Sequence, residues 1–470
     1  MVELETELQR KVFFMNNGLT TQAPRRLRRL LKRERGGISV LSLQMLLCSL
    51  VVGGFAVDVG NAFQTWTQLQ ATADSAAHAA LWSREWNSAD TAKTKAIQIA
   101  TNMMPVSRYG DVLTPEDIVF GTWDATNEQF TPNPASKSAV FVSTRRYEAR
   151  NNGLGTWFLR LAGRDEFDVA AGSVFQTYVP NCAREGFMAE GRVDTQSNNH
   201  YLAGFCVHSQ THVEVNSNSV FDTGSVVSMP DKTDLVKPAS GFVTNPGLQQ
   251  SLRDASYAIR VLDRLDNIRT GLLDPEHPKY GVMTPTSPYY RNYITHANVL
   301  TVSPPKGNKS LSASFKTGYV HQVTCNGGNN TITIDGDWFR QMALVTNCKI
   351  SFGNGTTLED AIIMTTDTDK NNAVNASQNL RIGKNDNCED GGDVQILSMG
   401  SIKMTSGVDF YGSQLISAQD IELTANTNGV KGISLVAGGE IDVTSNGTYG
   451  YCAGMGMGHN YDASYFRMVN

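Results

Sequence analysis

The sequence predicts a membrane-anchored α+β protein. A long N-terminal transmembrane helix packs on a small sheet, and a β-solenoid, parallel β-helix-like region follows. Three observations carry this. Residues 38–57 form an uncharged apolar run, an alanine-rich helical stripe continues from it, and the C-terminal part repeats an Ile-x-aliphatic pattern about every 20 residues.

The run ISVLSLQMLLCSLVVGGFAV holds three serines and one glutamine as its only polar side chains. At 1.5 Å per residue it is about 30 Å long, enough to cross the hydrocarbon core of a bilayer. Arg25, Arg26, Arg28, Arg29, Lys32, Arg33 and Arg35 precede it against the single acid Glu34. This basic cluster is a topology signal that keeps residues 1–36 cytoplasmic and exports the rest. The expected location is the bacterial inner membrane, single-pass, with the body periplasmic or on the cell surface. The run exceeds the apolar core of a cleaved signal peptide and lacks a small-x-small cleavage site, so retention as an anchor is expected.

Residues 1–36 carry a net charge of +5, nine basic against four acidic side chains; the whole chain is −5, leaving −10 for the remainder. An acidic exported body gives no reason to expect nucleic-acid or anionic-membrane binding, so no nucleic-acid partner is expected. Cys48 lies in the apolar run. The other six cysteines fall in the exported part, where an oxidising compartment favours disulfides.

Beyond Asp58, the residues Phe63, Trp66, Leu69, Ala73, Ala77 and Leu81 recur at helical spacing. The dense alanines favour helix and leave a thin surface for a neighbour. One helix of roughly 45–60 residues is expected, half in lipid and half outside. It covers either its own domain or another subunit. From about 105 to 180 the pattern turns to short strands, notably AVFVSTRRYEAR and FDVAAGSVFQTYV, which suit a small antiparallel sheet. The expected segments are 1–36 cytoplasmic, 37–58 transmembrane, 59–180 α+β, and 181–470 solenoid-like.

The basic patch, Gly36-Gly37, the apolar run and then FAVDVGNAFQTWTQLQATADSAAHAA resemble the N-terminal region of the Tad (Flp) pilus-assembly TadE/TadG-like proteins. The matching positions are Ala56, Val57, Asp58, Val59, Gly60, Phe63, Leu69, Gln70, Ala73, Asp74, Ala76, Ala77, Ala79 and Ala80, and the resemblance spans about residues 25–180. It implies a pilin-like α+β unit in a non-enzymatic, minor-pilin-like component of pilus biogenesis and adhesion. Its partners would be the lipid bilayer, other pilus subunits through the N-terminal helix, and a surface or glycan ligand. Some relatives carry a DxSxS metal motif. Here Asp254-Ala-Ser256-Tyr-Ala258 has alanine at the fifth position, so no adhesion metal is expected. A prepilin peptidase would cut near Gly36 or Gly37, but Leu41 and Ser42 stand where its substrates carry glutamate.

In the C-terminal part, Ile402, Ile421 and Ile441 repeat at 19 and then 20 residues, each followed by a small polar turn. Segments 182–235 and 320–365 look similar. Cys182 and Cys206 are 24 apart and Cys325 and Cys348 are 23 apart, near one coil, so both pairs are expected as rung-to-rung disulfides. Cys388–Cys452 follows by elimination. A helix is expected at about 246–270, with Leu248, Leu252, Ala255, Ile259, Leu262 and Leu265 on one face, Asn245 and Pro246 starting it and Gly271 ending it.

Other clusters favour plain roles. Cys206, His208 and His212 share strand parity, but a disulfide and a solvated face explain them better than zinc. Asp367, Asp369 and Asn371, like Asp386, Glu389, Asp390 and Asp393, read as solvated turns rather than calcium loops. Asp335 and Asp337 are the carboxylates a polysaccharide-cleaving β-helix would use, and an anchored protein that binds or cleaves envelope polysaccharide is the alternative function. No GxSxG, phosphate loop or HExxH is present. No catalytic residue, metal or cofactor is expected.

Overall fold

The computed structural model describes residues 37–304, 311, 315–326, 331–376, 378–404, 407–423, 430–453 and 455–469. The basic cluster from Arg25 to Arg35 and Gly36 lie outside the described residues. The chain divides into two compact units, residues 1–175 with 468–470, and residues 176–467.

In the first unit, helix α1 (Gly37–Arg84) runs unbroken for 48 residues. It is long and apolar enough to cross a membrane. Helix α2 (Ala89–Met103) starts at Ser88, whose hydroxyl accepts the Thr91 amide, and buries Ala92, Ala96 and Ala100. Strands β1 (Ile118–Asp124), β2 (Gln129–Pro132) and β3 (Ala139–Arg146) pair antiparallel. A two-residue ladder joins β4 (Leu154–Gly155) to β5 (Glu166–Phe167). Strand β6 (Val169–Tyr178) extends the sheet in the order β2-β1-β3-β6. The end of the chain returns here, with the Val469 amide donating to the Val174 carbonyl.

The second unit is a sheet-rich body of parallel strands. Ile402, Ile421 and Ile441 are direct neighbours in one sheet. Their side chains are buried, whereas the intervening Lys403 and Glu422 face out and meet at 2.6 Å. The alternation is that of strands with one buried face. A second parallel sheet carries the longer strands, such as Val408–Ser417 paired with Val430–Ala437.

The spatial order of these strands departs from the chain order. Gly186–Ala189 pairs parallel with Val430–Ala437, and Val193–Thr195 with Ile441–Val443. The chain therefore enters the stack at an interior position and builds toward Leu252–Asp254 at one end. It then restarts at Leu300–Val302, at the other end of the same sheet, and works back to its own entry point. Residues 255–299 make that connection. Turns at the entry seam are set by Asn198, Asn218 and Asn446, with φ of 64°, 66° and 66°. Asparagine tolerates this left-handed conformation, and Asn198 also donates to Asn446 Oδ1 at 3.2 Å.

The helix expected at 246–270 is broken. Leu248–Ser251 is a single turn begun by Gly247, and Leu252–Asp254 is extended and pairs with Val227–Met229. Helix resumes only at Leu265–Leu273. The open edge of the sheet offers Leu252–Asp254 a full set of backbone partners, which outcompetes an isolated helical turn. Asn245 is no cap: its buried side chain accepts the Ser219 amide and donates to the Gly241 carbonyl. Gly271 lies within the helix rather than ending it, and its role is close packing: a Cβ there would come 1.7 Å from the Tyr280 carbonyl oxygen.

Candidate functional site

The side chains that carry the sequence signature lie on α1, and each has a distinct task. Along residues 38–57 the side chains are exposed except at Gly54. From Asp58 onward a buried row begins, comprising Asp58, Thr65, Leu69, Ala73, Ala77 and Leu81 with Ala76 and Ala80 beside them. This row packs on α2 and β3. Alanines on both helices bring the two backbones close.

The polar signature residues hold the unit together. Gln70 donates to Asp74 Oδ1 at 2.8 Å and to the Gly172 carbonyl of β6 at 2.9 Å. Thr144 of β3 donates to the Leu69 carbonyl at 2.9 Å. The Asp58 carboxylate accepts the amides of Trp157, Phe158 and Leu159 at 2.7, 2.9 and 2.7 Å. It caps the short 3-10 turn Leu159–Ala162 that follows.

The helical stripe therefore splits. Leu69, Ala73, Ala77 and Leu81 belong to the core of their own unit. Phe63 is 67% and Trp66 45% exposed. Together with Phe55 and Val59 they form a strip at spacings of four, four and three, continuing the apolar surface of residues 38–57 about 13 Å further along the helix. Leu69 buries on a different face from Trp66, so three-residue spacing alone did not separate them.

In the body, three disulfides join Cys182–Cys206, Cys325–Cys348 and Cys388–Cys452. Cys325 and Cys348 continue the register in which Val323 opposes Thr346, and their Cα atoms are 5.5 Å apart. Cys182–Cys206 is not rung-to-rung. The local repeat is 20 residues (Phe187, Val207, Val227), and Cys182 sits on a short turn before the strand, four positions out of register. Cys48, the free thiol, is exposed on α1.

Among the described residues no group of three or more His, Cys, Asp or Glu could hold a metal ion. His208 is fully buried rather than solvated, bonded to Ser228 at 2.9 Å, while His212 meets Glu214 at 3.2 Å. Asp369 accepts a hydrogen bond from Lys349 Nζ and from the Asn371 and Asn372 amides, which together hold its carboxyl down to about 2. Asp386 accepts the Glu389 amide. Asp335 and Asp337 flank Gly336, with Asp337 exposed.

A cleft of about 490 Å³ is lined by Asp360, Asp390, Asp393 and His459. Asp360 lies in the strand Thr357–Thr365 and Asp393 immediately precedes the neighbouring strand Val394–Ser398, a juxtaposition that spacing did not reveal. Buried Asp393 is committed to His459 and Gln395, and Asp360 to the Gly392 amide.

Comparison with curated proteins and with solved structures gives no match. Two family models do match. Residues 36–85 match the Flp pilus-assembly TadE/G-like model, so the helix just described is similar to those of pilus-assembly proteins. Among the described residues one helix is long and apolar enough to cross a membrane, which fits a single-pass membrane protein. The second model, domain of unknown function (DUF7867), covers residues 186–453. That span is the parallel-stranded body and more than half of the 470 residues, so the chain belongs to the DUF7867 family, here joined to a TadE/G-like helix.

Proposed function

We propose that this protein is a non-enzymatic, minor-pilin-like component of a Tad (Flp) pilus. Residues 38–57 tether it in the inner membrane with the N-terminus cytoplasmic. The body is a β-solenoid, projecting into the periplasm or from the cell surface as an adaptor or adhesive module. The solenoid reading is supported by strands that stack parallel and in register, with repeats near 20 residues.

One observation carries the assembly role. The strip Phe55, Val59, Phe63 and Trp66 leaves the apolar run and continues along a helix whose other face is already buried. Large aromatic side chains exposed in a row mark a surface made to be covered. Covering the part of Phe63 and Trp66 that is still exposed is worth about 1–2 kcal/mol for each side chain. Neighbouring pilin-like helices are the partners proposed for it.

The test is the double variant Phe63→Ala/Trp66→Ala in the native bacterium, with protein level followed by immunoblot. Loss of surface pili and of crosslinks to pilus subunits, at an unchanged protein level, is the expected result. Full piliation and attachment in that strain, or in a deletion strain, would remove the assembly role. A periplasm-active reporter fused after Asn470 checks the orientation separately.

A further inference from the structure

We infer that the loop Trp157–Leu161 is a second membrane contact, inserted into the interfacial layer of a phospholipid bilayer beside α1. The inference rests on residues 38–57 spanning the membrane, and it adds a site that neither the helix nor the family matches assign.

The sequence of the loop is Trp-Phe-Leu-Arg-Leu. Trp157 is 67%, Phe158 47% and Leu161 85% exposed. In a water-facing loop such residues would be an aggregation hazard. Their exposure does not come from an unstructured backbone. Thr156 and Asp165 close the base through the Thr156 amide at 2.9 Å, the Arg164 amide returns to the Leu159 carbonyl at 3.1 Å, and Asp58 takes three successive amides. The backbone polar groups are thus largely satisfied internally, as entry into lipid requires.

The depth of the loop is set by Gly54. A Cβ at this position would lie 2.6 Å from Phe158 Cγ, so the ring occupies the place of the missing side chain. Gly54 is three residues, about 4–5 Å, inside the end of the apolar run at Val57. Whatever surrounds the last turn of that run surrounds Phe158 as well. This continuity commits the occupant to lipid on the body side of the membrane. Trp and Phe at the headgroup level with cationic side chains above them are the usual interfacial arrangement. Arg160 and Arg164, both exposed, supply the cations, and the exposed Asp165 and Glu166 follow them in the chain.

Two contacts fix what one cannot. A single helix is free to rotate about its axis, whereas a helix plus a lateral wedge holds one face toward the bilayer plane.

The experiment uses the full chain with Cys48→Ser, all three disulfides intact, in vesicles of phosphatidylcholine and phosphatidylglycerol. A nitrobenzoxadiazole label is placed singly at Leu161→Cys, at Leu47→Cys in the middle of the apolar run, or at Asn127→Cys in the exposed β1–β2 turn. Lipids carrying a shallow nitroxide should remove most of the emission at position 161 and leave position 127 unaffected. Deeper nitroxides should quench position 47. Adding Gly54→Leu, which evicts Phe158, should release position 161 to aqueous iodide. Quenching at 47 but not at 161 overturns the inference and leaves the spanning helix standing. Quenching at neither overturns both. A label at 161 shielded from lipid and iodide alike assigns the loop to protein contact and also overturns it.

Discussion

Tyr201 stacks on Tyr449, with ring centroids 5.2 Å apart and planes 14° from parallel, although the two residues belong to opposite ends of the body's sequence. Phe221 continues the column at 4.7 Å. The backbone ladder makes the same crossing, because Tyr201 and Tyr449 are paired residues of adjacent parallel strands. On the outside Arg192 closes the junction, 2.9 Å from Glu440 on one side and 3.1 Å from both Asp194 and Glu214 on the other.

The two layers of this seam differ in strength. Tyr201 is buried, and Tyr201→Ala removes a stacked ring from a packed core, an expected loss of about 3–5 kcal/mol. Arg192 and its partners are partly exposed, so Arg192→Met should cost only about 1 kcal/mol. Urea unfolding of the full chain in detergent measures both. An Arg192 effect equal to that of Tyr201 would mean that ion pairing, not ring packing, holds the seam.

The disulfides should rank by the length of chain they close. Cys325–Cys348 spans 23 positions and Cys388–Cys452 spans 64. On chain entropy these contribute about 3 and about 4 kcal/mol. Paired serine substitutions, compared by urea midpoint, should destabilise in that order. The reverse order would point to residual structure in the unfolded chain around residues 388–452.

The repeat was legible where strands adjacent in sequence are adjacent in space. Ile402, Ile421 and Ile441 stack in register, as their spacing implies. The same holds for Cys325 and Cys348, which continue the ladder register. Spacing carried no information about the seam, since nothing local in residues 186–201 indicates that residues 434–449 will lie beside them. At Leu252 the helical pattern was real, yet an open sheet edge won. On α1, periodicity located the apolar positions but could not say which cover would reach them. Leu69 is fully buried in its own unit while Trp66 stays 45% exposed.

Two buried ionisable groups make the two units respond to different pH ranges. In the body, burial pushes the His208 imidazole down to about 4 despite its bond to Gln210. The folded state holds it neutral while the unfolded state binds a proton below its ordinary value of 6.5. Stability from this group is therefore complete above about 6.5 and falls as the pH drops toward 4, by about 2 kcal/mol between pH 7.5 and 5. In the first unit, burial opposes ionisation of Asp117. The Arg150 fork at 2.7 and 2.8 Å and the Thr114 amide outweigh it, holding the carboxyl below its ordinary value. Its contribution persists above that value and is lost only as the pH falls further. Hydrogen exchange at pH 7.5 and 5, corrected for intrinsic rate, should show weakened protection around residues 206–229 and unchanged protection around 114–150. His208→Gln should flatten the body's response. Equal loss in both units would exclude His208 as the cause.

The alanines of α1 allow a further separation of folding from assembly. Ala77 is fully buried in the row that packs on α2, where Ala92, Ala96 and Ala100 are likewise buried. Ala71 on the same helix is exposed. Leucine adds the same volume and nearly the same helix propensity at either position. At 77 it must push two closely packed helices apart, at a cost of about 1–3 kcal/mol, and at 71 it meets only solvent. Thermal unfolding of the full chain in detergent should therefore fall for Ala77→Leu and stay unchanged for Ala71→Leu. If Ala77→Leu leaves the melting temperature intact yet abolishes piliation, the alanine row serves a neighbouring subunit instead of α2. If it melts early while Phe63→Ala/Trp66→Ala melts normally without pili, the helix has one face for its own fold and another for its partners.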